Sequence, residues 1–280
     1  MTAAAVDVTM DLPKLAAFDL DGTLLNAAKQ LTPRTIAAVR ALAAEGTLCV
    51  LASGRMYRDS MQPQVAALGL DAPVIAYNGA MVLGGAGEIW YERPVGIADA
   101  QPVLDFARET GRHVNLYHGD VMYCRRPCAW SDLYTRRVGA QPVFREDLFD
   151  WFRARATTKI IVFDEPPVVE ALFAQWRERV ADRLYVTISD PEYLEFMDPQ
   201  ATKGNALRAL CDRLGLAVAD TVAFGDSTND LPLLSAAGVA YAMANSRPTV
   251  LATCPRVAPH HDEDGVAQVI EDWLAGGGWR

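Results

Sequence analysis

Four short apolar runs in this sequence each end at a polar residue that could serve a ligand site. The runs cover residues 15–18, 47–52, 73–77 and 221–224, and they are followed by Asp19, Ser53, Asn78 and Gly225-Asp226. Short apolar runs without alternation are typical of strands that are buried on both faces of a parallel sheet. Amphipathic segments at 34–45 and 204–214, each closed by a glycine, predict helices between such strands. The pattern therefore predicts an α/β fold with a Rossmann-like, doubly wound parallel sheet.

The middle of the chain follows a different pattern. Strands are predicted at 88–91, 114–117, 159–163 and 184–188, and helices at 98–110 and 167–180. This order is α+β rather than a regular alternation. The glycine cluster at 84–87 and the Ser189-Asp190-Pro191 segment mark two seams. We therefore expect residues 84–189 to form an α+β domain that is inserted into a core made of residues 1–83 and 190–280.

The charge balance argues against several classes of partner. The chain has 26 Lys and Arg against 35 Asp and Glu, a net charge of −9, whereas nucleic acid and anionic membranes attract basic surfaces. No apolar run reaches the length of a membrane span, the N-terminus lacks the basic start of a signal peptide, and five scattered cysteines suit reduced thiols. We expect a cytoplasmic protein with no nucleic-acid, membrane or evident obligate protein partner. A small anionic substrate remains compatible, because a local site can oppose the global charge.

The segment Asp19–Leu25, with the sequence DLDGTLL, carries two carboxylates at the end of the first predicted strand. A carboxylate in this place, Asp19, can attack phosphorus and form an aspartyl phosphate. The second, Asp21, is placed to protonate the leaving oxygen and later to activate water. Gly22 permits a tight turn close to a substrate. The alternative for this segment is a strand followed by an ordinary Asx-type turn.

A second acidic segment, GDSTND at Gly225–Asp230, follows the last of the four apolar runs. Its two carboxylates, Asp226 and Asp230, and the Asn229 amide suit a hard, oxygen-liganded cation such as Mg²⁺, and Mn²⁺ would also suit them. Such a cation would cancel much of the repulsion between a carboxylate nucleophile and a phosphate. The alternative is a capped helix N-terminus.

Two further places could hold a phosphate group. Lys203 opens a predicted helix, where its charge is unfavourable unless an anion lies nearby. Ser53 offers a hydroxyl and Gly54 a backbone N–H at the start of another helix. Taken alone, a solvated lysine and a plain strand-to-helix turn explain these two features equally well.

Together these segments resemble the haloacid dehalogenase superfamily of phosphohydrolases, and specifically its Cof-type sugar-phosphate phosphatases. The matching segments occur in the family's order and are DLDGTLL at 19–25, SGR at 53–55, Lys203-Gly204 and GDSTND at 225–230, with YNGA at 77–80 and DGVA at 264–267. The chain departs from many relatives in AMANS at 242–246, where they have Ala-Met-Gly-Asn-Ala, and at His261, where they have asparagine. Both departures lie in loops beside the fourth segment.

The resemblance implies a role for each matching residue. It implies that Asp19 is the nucleophile and also a Mg²⁺ ligand. It implies that Asp21 is the general acid/base and that the backbone carbonyl of Asp21 binds the metal. Asp226 is implied as the third protein ligand, with Asp230 supporting the metal site. Phosphate contacts are implied for Ser53, Lys203 and Asn229 and for the backbone N–H groups of Leu20 and Gly54.

The resemblance also implies that the inserted domain is a cap that selects the leaving group. Candidate specificity contacts in the cap and around the site are Arg55, Asn78, Tyr117 and Arg125. The predicted activity is Mg²⁺-dependent hydrolysis of a small phosphomonoester, either a sugar phosphate or a phosphorylated cofactor. One alternative is a phosphomutase of the same superfamily, which would return the phosphoryl group to a sugar. The other is a noncatalytic phosphoester-binding protein, which would bind without turnover.

Overall fold

The computed structural model describes residues 11–280, and its first sheet contains the apolar runs of the sequence. Numbered in chain order along the whole protein, its strands are β1 (Leu15–Phe18), β2 (Leu48–Ala52), β3 (Val74–Ala76), β4 (Met81–Leu83), β5 (Ile89–Glu92), β12 (Thr221–Gly225), β13 (Val239–Met243) and β14 (Arg256–Ala258). They are arranged in the order β14-β13-β12-β1-β2-β3-β4-β5. The strands from β14 to β3 pair in parallel, and β4 and β5 are antiparallel additions at one edge.

Helices cover both faces of this sheet. They are α1 (Pro33–Ala44), α2 (Gln62–Leu68), α7 (Lys203–Leu214), α8 (Leu231–Ala236), α9 (Pro248–Leu251) and α10 (Gly265–Leu274). Side chains of α1 and α10 pack with Ala16 and Phe18, whereas side chains of α7 and α8 pack with Leu15 and Ala17. Successive residues of β1 thus face two different apolar cores, which explains why the run is apolar throughout. The predicted doubly wound parallel sheet is confirmed.

The middle of the chain forms a second, mainly antiparallel sheet. Its strands are β6 (Val114–His118), β7 (Val121–Cys124), β8 (Val143–Phe144), β9 (Ile160–Phe163), β10 (Tyr185–Asp190) and β11 (Tyr193–Met197), in the order β10-β11-β9-β6-β7-β8. The helices here are α3 (Ile97–Thr110), α4 (Ala129–Val138), α5 (Leu148–Phe152) and α6 (Pro166–Arg179). One face of the sheet packs against α3, α5 and α6. On the other face Tyr117, Ile161 and Phe163 join the core cluster that includes residues of the first sheet.

The chain passes from the first sheet to the second, and back, at residues other than the predicted seams at 84 and 189. The segment Ile89–Glu92 pairs with β4 in the first sheet, and Tyr193–Met197 pairs with β9 and β10 in the second. The glycine cluster and the Asp190-Pro191 segment are therefore hairpin turns within one sheet, because Gly and Pro favour tight turns as well as linkers. By strand pairing, the inserted part runs from residue 93 to residue 197, and we call this range the insertion.

Two broader features of the chain accompany this fold. All five cysteines are free, and four of them are buried. Within residues 11–280, no helix combines the length and the apolar character that crossing a bilayer requires.

Candidate active site

The carboxyl ends of β1, β2, β3 and β12 meet at one edge of the first sheet, and a cleft of about 440 Å³ opens there. The structure brings most of the predicted residues together on the walls of this cleft: Asp19, Asp21, Ser53, Gly54, Arg55, Asn78, Asp226 and Asn229. This is where ligands bind in open α/β sheets, because loops diverge at the point where neighbouring strands connect in opposite directions. The insertion forms the opposite wall.

Lys203 joins two of the acidic residues beneath the cleft. Its Nζ lies 2.6 Å from Asp19 Oδ1 and 2.6 Å from Asp230 Oδ1, and its side chain is fully buried. Burial lowers the pKa of Lys203, but the two carboxylates outweigh burial and raise it above its ordinary value. Burial and the charge of Asp230 raise the pKa of Asp19 to about 8, and Lys203 opposes this rise. The anion that the sequence predicted near Lys203 is thus supplied, in this structure, by two carboxylates.

Asp230 also shapes the loop that follows β12. Its Oδ2 accepts hydrogen bonds from the backbone N–H groups of Asp226 and Ser227, both at 3.0 Å. With Lys203 on Oδ1, both carboxylate oxygens have donors. The arrangement fixes the position of Asp226 relative to Asp19, and it makes Asp230 a support for the loop and the lysine.

Asp226 has an oxygen that the protein does not satisfy. Its Oδ1 is buried and has no hydrogen-bond partner among the described residues. Burial and the charge of Asp230 raise the pKa of Asp226 to about 6. Oxygens of Asp19, Asp226 and Asp230 lie within 4.8 Å of one another. An unpartnered buried oxygen in an all-oxygen acidic set fits a hard divalent cation such as Mg²⁺.

Gly22 allows the loop after β1 to approach Asp226 closely. Its φ is +85°, and a Cβ placed there would lie 2.6 Å from Asp226 Oδ2. Asn245 Nδ2 donates to the Gly22 carbonyl at 2.8 Å, and Asn245 Oδ1 accepts from the N–H of His261. Asn245 is the asparagine that AMANS shares with the relatives' segment, and His261 contributes only its backbone N–H, so the two sequence departures noted above leave this support of the loop in place.

Several hydrogen-bond donors lie at the strand ends around the cleft. The N–H groups of Leu20 and Gly54 donate to no protein acceptor within the described part of the chain. Ser53 is buried, and its Oγ accepts from the N–H of Arg55 at 3.2 Å. Asn229 Nδ2 donates to Asn78 Oδ1 at 2.9 Å. Such a group of free N–H donors and side-chain amides is suited to phosphate oxygens.

Asp21 is held by two cations at the mouth of the cleft. Arg55 Nε and Nη2 donate to its two carboxylate oxygens at 2.7 and 2.6 Å, and Lys29 Nζ adds a bond at 2.9 Å. Partial burial raises the pKa of Asp21, but these hydrogen bonds outweigh burial and lower it below its ordinary value. The carboxylate is therefore ionised and clamped, so protonating a leaving group requires it to change partner.

The insertion contributes polar residues that the sequence interpretation missed. Lys159 and Glu195 line the cleft as a buried ion pair, with Nζ 3.1 Å from Oε1, and Ser189 Oγ donates to the same oxygen at 2.9 Å. Tyr134 and Tyr193 complete this wall. A signal for the pair existed in the sequence, because Lys159 opens the apolar strand-like run KIIVF and Glu195 interrupts the run YLEFM.

Two predicted specificity contacts lie elsewhere, and these predictions are corrected. Tyr117 has no exposed surface, and its hydroxyl donates to the Tyr134 hydroxyl at 2.9 Å, one layer behind the cleft wall. Arg125 lines a separate cavity in the insertion and is absent from the cleft. Both errors have one cause: strand periodicity shows which residues share a face but not which end of the insertion meets the core.

Comparisons with known proteins agree with this geometry. YxeH of Bacillus subtilis is 30% identical over 92% of this chain and 97% of its own length. The HMP-PP phosphatase of Cronobacter sakazakii is 29% identical over 94% of this chain and 96% of its own. Among solved structures, TM0651 from Thermotoga maritima has a TM-score of 0.86 and 28% identity, with 93% of this chain and 97% of that chain covered.

The family model for haloacid dehalogenase-like hydrolases matches residues 16–270. The chain therefore belongs to this family, and the resemblance predicted from its motifs is confirmed. It is a phosphatase-type hydrolase.

Proposed function

We propose that this protein is a Mg²⁺-dependent phosphatase that hydrolyses small phosphomonoesters through an aspartyl phosphate on Asp19. The observation that carries the proposal is the buried arrangement of Asp19, Lys203 and Asp226 beside free N–H donors at the strand ends. A buried carboxylate, an unpartnered acidic oxygen and backbone N–H donors at the same strand ends support the proposal, because phosphoryl transfer needs a nucleophile, a site for positive charge and donors to the phosphate oxygens.

In the first step an oxygen of Asp19 forms a bond to phosphorus while the bond from phosphorus to the leaving oxygen breaks. Asp21 gives its proton to that oxygen, so the product leaves as an alcohol. In the second step Asp21 takes a proton from water, and the water oxygen forms a bond to phosphorus. The bond between phosphorus and the Asp19 oxygen breaks, which releases phosphate and the free Asp19 carboxylate. Ser53, Asn229, Lys203 and the N–H groups of Leu20 and Gly54 hold the phosphate oxygens.

A divalent cation would be held by the carboxylates of Asp19 and Asp226 and the backbone carbonyl of Asp21, with Asp230 supporting the site. When bound, it supplies positive charge that offsets the repulsion between the nucleophile and the phosphate. The protein alone offers only Lys203 against three carboxylates in this cluster.

Arg55 and Lys29 control the protonation state of Asp21 during the catalytic cycle. While Arg55 and Lys29 hold the carboxylate, its lowered pKa favours the ionised state, which suits the base in the second step. Release from the clamp, and contact with a leaving oxygen, would favour the protonated state that the first step needs. Arg55 is therefore proposed to position Asp21, and Asn78 to position Asn229.

The cleft points to a small, polar leaving group. Its volume of about 440 Å³ suits a metabolite rather than a polymer, and its far wall presents Lys159, Ser189, Asp190 and Glu195. Such groups pair with hydroxyls or other hydrogen-bonding atoms, because an apolar leaving group would leave them unsatisfied. A sugar phosphate or a phosphorylated cofactor meets these requirements, and a relative at 29% identity bears the name HMP-PP phosphatase.

The test is a panel of phosphorylated sugars and cofactors, scored for both released phosphate and isomerised product. We expect one phosphate released for each substrate consumed, with the highest kcat/KM for polar leaving groups. Isomerisation without phosphate release would identify a phosphomutase instead. Binding without either product would identify a noncatalytic protein. The variant Asp105→Asn, on an exposed face of α3, serves as a control that keeps wild-type rates.

A further inference from the structure

A second cavity, of about 350 Å³, lies wholly within the insertion. It is bounded by the C-terminal end of α3, the segment between β7 and α4, and the end of β9. None of its lining residues lines the catalytic cleft. Phe163 forms one wall and packs against Tyr134 and Tyr193, at ring distances of 5.8 and 4.9 Å, so an aromatic layer separates the cavity from the cleft.

The charge of this cavity opposes the charge of the protein. Arg108, Arg112, Arg125 and Arg126 line it with a single carboxylate, Asp164, in a chain whose net charge is −9. None of the ion pairs found within residues 11–280 involves Arg125 or Arg126. Arg108 and Arg112 have acidic partners, whereas the exposed guanidinium groups of Arg125 and Arg126 remain available to an anion.

One of these arginines is held in a fixed orientation. Arg112 Nε donates to Asp164 Oδ2 at 2.7 Å, and its guanidinium lies 5.0 Å from the centre of the Phe106 ring. A guanidinium fixed in this way loses little freedom when it binds a second anion. Arg108 has only a longer contact, at 3.4 Å, to Asp105.

The remaining walls are aromatic. Trp130, Phe149 and Phe163 line the cavity, and the His113 ring packs edge-on against Phe163 at 5.0 Å. The nitrogens of His113 lie 2.9 Å from Asn115 Oδ1 and 3.3 Å from Cys128 Sγ. Burial lowers the pKa of His113, so the positive charge of the cavity comes from the guanidinium groups. Aromatic walls beside guanidinium groups suit a planar ring that carries an anionic substituent.

We propose that this cavity is a second ligand site, which binds a small molecule composed of a planar aromatic ring and a phosphate group, such as a nucleoside monophosphate. The volume lies within the range of about 300–1,000 Å³ that small-molecule sites occupy. The proposal is independent of the activity proposed for the cleft, because the two sites share no residue.

The test is calorimetric titration with adenosine monophosphate, in EDTA to stop turnover, on the full-length protein. Three samples are compared: wild type, the double variant Arg125→Ala/Arg126→Ala, and the control Arg177→Ala/Arg179→Ala. The control removes the same charge from exposed positions of α6 outside the cavity. Adenosine, ribose 5-phosphate and inorganic phosphate are titrated alongside, and circular dichroism checks that each variant is folded.

We expect the first double variant to bind adenosine monophosphate at least about tenfold more weakly than wild type, because it loses charge-assisted hydrogen bonds. The control should match wild type, and adenosine and ribose 5-phosphate should each bind more weakly than the complete nucleotide. Equal binding in all three samples would place the nucleotide in the catalytic cleft and overturn the proposal. So would the absence of binding by wild type at millimolar concentration. Equal binding of ribose 5-phosphate would overturn the assignment of an aromatic ring.

Discussion

At the scale of single residues, the buried pair of Lys159 and Glu195 is not explained by stability. Removing two charges from water costs more than their attraction returns in many proteins, so such a pair is weak support for a fold. Both side chains are almost completely buried, yet both reach the wall of the catalytic cleft. We infer that the pair contacts the leaving group of the substrate.

This inference predicts different results for single and double variants. Lys159→Met or Glu195→Leu alone should lower the free energy of unfolding by about 3–5 kcal/mol, because each leaves a buried charge unpaired. The double variant should regain most of this stability in urea unfolding. It should nevertheless raise KM for polar phosphomonoesters about tenfold or more while changing KM for p-nitrophenyl phosphate little. The exposed pair Arg34 and Glu271, replaced in the same way, provides the control. A stable double variant with unchanged KM would contradict the inference.

A second prediction at this scale separates backbone strain from close contact. Gly22 and Gly46 both have positive φ, +85° and +96°, but a Cβ at Gly22 would meet Asp226 and a Cβ at Gly46 would meet nothing within 4 Å. Alanine at either position should cost about 1–2 kcal/mol of stability, because the left-handed conformation disfavours a side chain. Only Gly22→Ala should also lose activity, by about 100-fold, since it displaces Asp226. Equal activity of the two variants would show that the approach to Asp226 is unimportant.

The residues at the strand ends could be predicted from sequence because the motif and the strand coincide. Asp19 directly follows strand β1 and Asp226 directly follows strand β12, and these strands pair in parallel, so sheet topology brings the two carboxylates together. Lys159 and Glu195 could not be placed in the same way. Their position in the cleft depends on how the insertion lies over the core, which no local pattern encodes.

At the scale of secondary-structure elements, the turn between β6 and β7 ties the insertion to the core. Asp120 in this turn accepts hydrogen bonds from the N–H groups of Tyr57 and Arg58, at 3.1 and 2.8 Å, and from the Tyr77 hydroxyl at 2.8 Å. Tyr77 precedes Asn78, and both residues have positive φ. One carboxylate of the insertion thus supports the strained segment that carries Asn78 into the cleft.

We predict that Asp120→Ala weakens both the fold and the site. Leaving the buried Tyr77 hydroxyl without its acceptor costs about 1–3 kcal/mol, and the two partly buried N–H groups add less, so the midpoint of urea unfolding should fall clearly. KM should rise as well, because Asn78 and its partner Asn229 lose their support. Tyr77→Phe, which removes one of the three hydrogen bonds, should have a smaller effect of the same kind. Asp105→Ala on α3 is the control, and equal midpoints for Asp105→Ala and Asp120→Ala would refute this role.

The elements of the first sheet were predictable, and several in the insertion were not. The strands of the core are buried on both faces, so their apolar runs stand out in the sequence. The strand β7 alternates between buried and half-buried residues over four positions, which is too short for a clear period. A glutamate interrupts β11, so its pattern did not indicate a strand.

At the scale of the whole molecule, the acidic cluster should make stability depend on a divalent cation. Three carboxylates face one lysine, so a bound cation relieves repulsion in the folded state alone and raises Tm by mass action. We predict that Mg²⁺ raises Tm by a few degrees in wild type and that EDTA reverses the rise. Asp226→Asn should abolish the shift.

A second group of possible ligands provides the matched control for this measurement. His260, His261 and Asp262 also lie close together, but their positions are half-exposed or exposed and outside the cleft. Asp262→Asn should therefore keep the Mg²⁺-dependent rise in Tm. A rise in Tm that survives Asp226→Asn and disappears in Asp262→Asn would place the cation at the second group of ligands and would contradict this prediction.

The arrangement of the two parts was predictable only in outline. The change from regular alternation to an α+β pattern correctly indicated an inserted sheet, because the two architectures have different periodicities. The exact residues at which the chain passes from one sheet to the other depended on which neighbouring strand each hairpin strand pairs with. Hydrogen bonding between strands is a long-range property, and the Gly and Pro turns at 84–87 and 190–191 fit either assignment.

The most direct test of the proposed mechanism is hydrolysis of p-nitrophenyl phosphate by wild type and Asp19→Asn, each with Mg²⁺ and with EDTA. We predict turnover by wild type only with Mg²⁺, and a loss of at least about 10³-fold in Asp19→Asn, because no other residue replaces the nucleophile. The exposed variant Asp212→Asn should retain the wild-type rate. Turnover by Asp19→Asn at a similar rate, or turnover unaffected by EDTA, would contradict the proposed mechanism.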